Sequence, residues 1–310
     1  MATDLRLSTI GDLNGRVALV TGGGTGIGFI MARALATNGA KVYITGRRRE
    51  KLDEAAGKEN TGTGYLVALS MDVLSKDSIK NAVQTIEEAD GKLDILINKY
   101  AAYLPFPHLH LPLLPAHSAG VVGPFSAFLL NRSPQTPSLG ASLFADQTFE
   151  QWGDAFASNT IAPFFVTTAF LDLLQKGADA RPGETSSVIN ISSSFAHTDL
   201  SMGVLAYGAS KVAVEQITKS LATEFALHHI PVRVNAIAPG TFPSDMTGSR
   251  DALTEVAKRP IPGAFEPAPV LRPGREAELA FTTVYLASSA GGYTNGHVLV
   301  MDGGWGAVNP

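Results

Sequence analysis

Arg16-Val-Ala-Leu-Val-Thr21 runs directly into Gly22-Gly-Gly-Thr25-Gly26-Ile27-Gly28, an apolar stretch that breaks into a glycine-rich turn. A short valine-rich run of this kind suits a buried strand, whereas the following Ile27–Asn38 carries apolar residues at helical spacing. Glycines between a strand and a helix permit a tight turn. They also let backbone N–H groups approach a phosphate at the helix amino terminus. The same alternation continues downstream. KVYITG (41–46), GYLVALSMDV (64–73), KLDILIN (92–98), SSVINIS (186–192), PVRVNAIAP (231–239) and HVLVMD (297–302) read as strands. Amphipathic segments such as Ser75–Ala89 and Tyr207–His228 read as the helices between them. Seven short strands alternating with helices predict an α/β fold with a parallel, doubly wound sheet.

The bulk properties narrow the function classes. The chain has 310 residues, 45% hydrophobic and 17% charged, a length that suits one large domain over 1–310. A net charge of −4 gives no electrostatic reason to expect nucleic acid or an anionic membrane as partner. Cysteine is absent, which excludes a disulfide framework, a thiol nucleophile and a cysteine-built metal site. The opening MATDLRLSTIGDLNGR lacks the apolar core of a secretory signal. No run approaches the roughly 20 apolar residues of a membrane span. A cytoplasmic protein is the expectation.

Tyr207-Gly-Ala-Ser-Lys211 places a phenol and an ammonium one turn apart on one helix face. A phenol loses its proton near pH ~10, and a fixed ammonium beside it is expected to lower that value. Such a tyrosine can give or take a proton during ketone and alcohol interconversion. At the other end of the site, the second strand closes with Thr45-Gly46 and then Arg47, Arg48 and Arg49. An acidic residue there would favour NAD(H) through the adenosine ribose. Guanidinium groups suit a 2′-phosphate, so NADP(H) is expected, with Arg47 as the contact and NAD(H) as the alternative.

With these segments in view, the chain resembles the short-chain dehydrogenase/reductase family, in its so-called classical branch. The likeness runs from about residue 14 to residue 304 and implies a single Rossmann-type sheet of about seven strands. Gly22, Gly26 and Gly28 match the family's TGxxxGxG turn, with Thr21, Thr25 and Ile27 as adjoining cofactor contacts. Asp72, with Val73 beside it, matches the acidic residue near the adenine. Pro239 and Gly240 match the turn beside the nicotinamide, which extends the cofactor set to Phe242 and Ser244. Asp302-Gly303-Gly304 matches the closing segment. The resemblance implies a catalytic set of Asn159, Ser193, Tyr207 and Lys211, with Ser194 as the alternate serine. In that reading NADPH supplies hydride, Tyr207 protonates the oxygen and Ser193 hydrogen-bonds it. Lys211 lowers the tyrosine pKa and holds the nicotinamide ribose, and Asn159 supports a relay water. No metal is expected; His108, His110 and His117 match no ligand spacing.

One motif is broken. The family follows its fourth strand with Asn-Asn-Ala-Gly, whereas this chain reads Asn98, then KYAAYLPFPHLHLPLLPAHS, then Ala119-Gly120. Residues 99–118 carry no charge after Lys99 and no clean helical or strand period. Lys99-Tyr100 can be encoded AAG-TAY, which contains a splice donor, and His117-Ser118 as CAY-AGY, which contains an acceptor. Joining the remnants gives AAY, an asparagine codon, and restores Asn98-Asn-Ala119-Gly120. The removed piece is 57 bases, so the frame survives and the mended chain has 291 residues. We therefore read 99–118 as an insertion or a translated, retained intron. In the chain as written, weakened cofactor binding is expected.

The resulting reading is an NADP(H)-dependent oxidoreductase acting on a small-molecule carbonyl or alcohol. The alternative is a catalytically impaired nucleotide-binding relative, silenced by the insertion. The APGTFPSDMT stretch looks like that of 3-oxoacyl reductase relatives. Residues 241–273, rich in proline and following a strand end, are expected to form a substrate loop. The resemblance also implies a homodimer or homotetramer. Ile161–Leu174, apolar nearly all round, is expected as an interface helix.

Overall fold

The computed structural model describes residues 4–58, 63–99, 124, 139–201, 203–244, 247, 249–258 and 266–310. Seven parallel strands form one sheet: β1 (Val17–Thr21), β2 (Lys41–Gly46), β3 (Tyr65–Ser70), β4 (Ile95–Asn98), β5 (Ser186–Ile191), β6 (Val232–Pro239) and β7 (Val298–Met301). Their order is β3-β2-β1-β4-β5-β6-β7. All seven lie where the sequence places strands. The order reverses beside β1, and in open α/β sheets the crevice at such a switch point is where ligands sit.

Two apolar layers hold the sheet between its helices. On one face Ile30, Met31 and Leu35 of the helix Gly26–Thr37 pack with Leu279 and Leu286 of Glu276–Ala287 against Val20, Val42, Ile44 and Ile97. On the other, Ile79 and Ile86 of Lys76–Asp90 join Val166, Phe170, Leu221 and Phe225 over Leu19, Leu96 and Val234. β1, β4, β5 and β6 are buried along their whole length, as strands covered on both faces must be.

Two sequence expectations change in detail. β3 is expected over 64–73 but ends at Ser70, because Asp72 turns the chain: its Oδ1 accepts Leu74 N at 3.0 Å and its own N–H donates to Ser78 Oγ at 2.9 Å. The segment Ile161–Leu174 is not one helix. A π turn, Ala157–Ile161, leads into Ala162–Ala169, and the chain bends by 52° before Leu171–Asp179. Within the single chain Ile161, Phe164 and Phe165 are exposed at 47%, 38% and 37%. Among the described residues no single helix is long and apolar enough to cross a membrane.

Candidate active site

The glycine turn after β1 is a cradle that larger residues cannot form. Gly22 and Gly26 have φ of +60° and +56°, in the left-handed region. A Cβ on Gly22 would stand 2.7 Å from the Lys99 carbonyl oxygen, and one on Gly28 would overlap the Gly22 carbonyl. Thr25 caps the helix Gly26–Thr37 without a side-chain bond, so the first-turn N–H groups remain for an anion. Beneath it, buried Thr21 donates its hydroxyl to the Ile97 and Lys99 carbonyls at 3.3 and 3.2 Å and accepts Lys99 N at 3.0 Å. Ile27 is half-buried against the core. Ser244 closes the cradle from the opposite side, its Cβ 3.1 Å from where Gly26 would carry one.

Toward the sheet edge, β2 delivers Arg47, Arg48 and Arg49, all exposed. Arg49 is held by Asp53 at 2.9 Å, whereas Arg47 and Arg48 make no ion pair among the described residues. Asp72 and Val73 are half-buried just past β3. Asn98 turns its side chain into the fold, donating Nδ2 to Asn190 Oδ1 at 2.8 Å and Thr167 Oγ1 at 2.9 Å. Ala119 and Gly120 lie outside the described residues, as do His108, His110 and His117. Among the described residues no group of three His, Cys, Asp or Glu could hold a metal.

At the reacting end, the ends of β5 and β6 face the helix Leu205–Leu227. Of the two candidate serines, Ser193 is the one that acts on the Tyr207 phenol and its Oγ also accepts Phe195 N at 3.3 Å, whereas buried Ser194 opens the short turn Ser194–His197. Burial raises the Tyr207 phenol, and Ser193 opposes that rise. The expected lowering by Lys211 is not what this site gives. Lys211 Nζ lies 5.6 Å from the tyrosine ring centre and donates instead to the Ile191 carbonyl at 2.9 Å. Its own ammonium is destabilised by burial and by the charge of Lys99, with Glu215 opposing, and is pushed down to about 7.

Asn159 sits within the π turn, a local widening that re-aims side chains. Its Nδ2 donates to Ser210 Oγ at 3.1 Å, and Ser210 Oγ donates to the Tyr207 carbonyl at 2.7 Å. Its Oδ1 is buried with no partner among the described residues. A buried acceptor of that kind calls for a bound water or ligand. Behind the site, Pro239 ends β6, and Gly240 N donates to the Met301 carbonyl at 2.9 Å. A Cβ on Gly240 would stand 2.8 Å from Asp302 Cα. Asp302 folds the closing turn by accepting Gly304 N and Gly306 N at 2.9 and 2.8 Å. Phe242 is buried, its ring filling the space beside Gly274. Of the proline-rich segment, the described residues include Pro269 and Val270, which pack on Gly304 and Gly303.

Comparison with known proteins decides the family. Residues 16–109 match the family model described as short chain dehydrogenase, and residues 127–306 the one described as Enoyl-(Acyl carrier protein) reductase. The chain belongs to the short-chain dehydrogenase/reductase family. Neither match spans residues 110–126, a gap that overlaps the segment read as an insertion at 110–118, whereas the first match runs through 99–109. The short-chain dehydrogenase/reductase VdtF of Byssochlamys spectabilis is 37% identical across 99% of this chain and 97% of its own. A Pseudomonas aeruginosa protein named for rhamnolipids biosynthesis, a 3-oxoacyl-[acyl-carrier-protein] reductase, is 32% identical across 94% of this chain and 97% of its own. Among solved structures, the Pseudomonas aeruginosa RhlG/NADP active-site complex superposes with a TM-score of 0.74 at 28% identity, covering 96% of this chain and 98% of that one. Family membership makes the protein a Rossmann-type oxidoreductase.

Sequence reasoning missed several residues of this short-chain dehydrogenase/reductase site. Phe195 packs its ring 5.9 Å from Tyr207 and 5.6 Å from Trp305, an aromatic wall whose members are far apart in sequence. Buried Glu215, on the same helix as Tyr207 and Lys211, ties Ser192 Oγ at 2.6 Å and His197 Nε2 at 2.9 Å. Glu215 lies four residues past Lys211, a spacing that could have flagged it. Lys99 was read only as the first residue of an interruption.

Proposed function

We propose that the protein is an NADP(H)-dependent enzyme interconverting a ketone and a secondary alcohol. The observation that carries this reading is Tyr207 with Ser193 opposing the rise of its phenol and Lys211 one turn away, at the rim that also holds the glycine cradle. The residues fit a dinucleotide. The cradle admits no side chain, the helix above it lacks a side-chain cap, and the Asn159 Oδ1 has no partner among the described residues. Thr21, Gly22, Thr25, Gly26, Ile27 and Gly28 would hold the diphosphate side, and Asp72, Val73 and Asn98 the adenine side. Pro239, Gly240, Phe242 and Ser244 would border the nicotinamide. Arg47, just past β2 and with no ion pair among the described residues, supports NADP(H) over NAD(H).

The nicotinamide supplies or accepts hydride when bound. Tyr207 donates its proton to the carbonyl oxygen in reduction and takes it back in oxidation. Ser193 hydrogen-bonds that oxygen as negative charge grows on it. Lys211 has an ordinary acid–base range displaced to about 7, so it can pass a proton near neutral pH. Asn159 Oδ1 would hold the water that returns protons to the pair. The Phe195–Trp305 wall beside Tyr207 and the 3-oxoacyl reductase named among the relatives support a β-keto thioester or polyketide-like ketone as substrate.

Fluorescence titration with NADPH and NADH, followed by NADPH oxidation against a ketone panel, tests this reading. NADPH binding in preference to NADH, tighter in the mended 291-residue form than in the 310-residue chain, with turnover of at least one ketone, is expected. Preference for NADH would overturn the cofactor assignment, and binding without turnover across the panel would favour the impaired nucleotide-binding relative. We propose further that the protein works in the cytoplasm as a homodimer or homotetramer, and that 99–118 is a translated intron.

A further inference from the structure

One carboxylate grips both ends of the segment that carries Ser193. The helix Leu205–Leu227 presents Tyr207, Lys211 and Glu215 at successive spacings of one turn, on the face that meets the end of β5. Lys211 Nζ holds the Ile191 carbonyl. Ser192 Oγ donates to buried Glu215 Oε1 at 2.6 Å and lies 3.3 Å from the Lys211 carbonyl. At the far end of the segment, His197 Nε2 meets the same Glu215 Oε1 at 2.9 Å. A carboxylate oxygen only accepts, so the histidine carries a proton on that nitrogen. Between the two attachments lie Ser193, whose Oγ accepts Phe195 N at 3.3 Å, and Phe195, whose ring stands 5.9 Å from that of Tyr207. The segment also lies tight against the helix: a Cβ on Gly208 would stand 3.2 Å from the Phe195 carbonyl oxygen.

We propose that Glu215 is a positioning residue of the reaction, holding Ser192–His197 by both ends so that Ser193 Oγ and the Phe195 ring keep their places beside Tyr207. The inference rests on the ketone and alcohol reading above. Burying a carboxylate is costly unless its hydrogen bonds are made, and among the described residues Glu215 makes no ion pair with an arginine or lysine. An apolar side chain would fill the same space at less cost. It could not fix the Ser192 and His197 side chains at set distances from the helix that bears Tyr207. The geometry also suits the task of the serine. Accepting from Phe195 N uses a lone pair of Ser193 and leaves its O–H to donate to the substrate oxygen.

The test is steady-state ketone reduction beside NADPH titration for Glu215→Ala, Glu215→Gln, His197→Ala, Ser193→Ala and Glu215→Ala combined with Ser193→Ala. Each is made in the 310-residue chain and in the 291-residue form, both of which contain Glu215. Glu215→Ala is expected to lose roughly 10- to 100-fold in kcat, the scale of a misplaced group, while binding NADPH as its parent does. A glutamine keeps an oxygen that can accept from Ser192 and His197 alike, so Glu215→Gln should restore most of the lost turnover. The combined variant should be little slower than Ser193→Ala, because the loss through Glu215 is already contained in the loss of the serine. Thermal melting reports whether each variant is folded. His197→Ala, which cuts one attachment at a half-buried site, should lower kcat in the same direction by less, and it keeps the test alive if Glu215→Ala does not fold. Alanine variants as fast as the parent would overturn the proposal. So would a glutamine variant as slow as the alanine one, which would make the charge decisive, or losses that multiply in full in the combined variant. Parents of both lengths that bind NADPH and turn over no ketone would overturn the underlying reading, and the proposal with it.

Discussion

Tyr207 and Lys211 behave differently from the simple picture of a lysine that acidifies its neighbour. In this chain burial lifts the phenol, and only Ser193 pulls it back. Replacing Tyr207 with Phe should therefore cut turnover by roughly 10²–10⁴ while leaving NADPH affinity nearly unchanged. Steady-state rates set beside binding titrations check this. Lys211 carries a second consequence. Its pKa falls from 10.5 to about 7 on folding, so between those values the unfolded chain holds a proton that the folded chain lacks. Stability of the cofactor-free protein should thus rise with pH from about 7 toward 10.5, through this group. In Lys211→Met that rise should flatten, with a higher melting temperature at pH 7 alongside lost activity, as a melting series across pH would show. The identities of these residues were legible because helical spacing puts them on one face. Their proton affinities were not, since burial and the reach of Lys99 are set by segments more than a hundred residues away.

At the scale of elements, every strand was readable because parallel strands covered on both sides are plain apolar runs. The helical break at Phe170 and the π turn at Ala157–Ile161 were not, because an apolar run gives no sign of a change in pitch. The broken element is the connection after β4. If 99–118 is a translated intron, most messenger RNA should lack the 57 bases, and sequencing transcripts that mostly contain them would sink the idea. The protein forms give an independent scale. The 291-residue chain regains a continuous Asn-Asn-Ala-Gly turn and should bind NADPH more tightly than the 310-residue chain. Parallel titration of the two proteins measures this difference, and equal affinity would make the segment a tolerated loop.

On the scale of the whole molecule, the sheet places all its chemistry along one rim and leaves a different surface apolar. Ile161 ends the π turn that packs against Leu205–Leu227, a helix that itself exposes Leu205 at 45% and Val212 at 51%, while Phe164 and Phe165 follow on Ala162–Ala169, with the Lys76 ammonium 4.7 Å over the Phe165 ring. We propose that the apolar residues exposed on these two helices receive a second copy of the chain, the occupant that closed symmetry supplies most simply. The link to function is mechanical. The first helix begins at the π turn that carries Asn159, and the second carries Tyr207 and Lys211, so a surface that clamps the two together also fixes the distance between the catalytic groups. Ile161→Asp combined with Val212→Asp, both on exposed positions, should shift sedimentation velocity from a dimer or tetramer to a monomer. The monomer should retain NADPH binding at the glycine cradle, which neither helix builds, and lose turnover as Asn159 and Tyr207 lose their common brace. A doubly substituted protein that stays assembled, or one that falls apart with its turnover intact, would show that assembly does not depend on this face or that the active site does not depend on assembly.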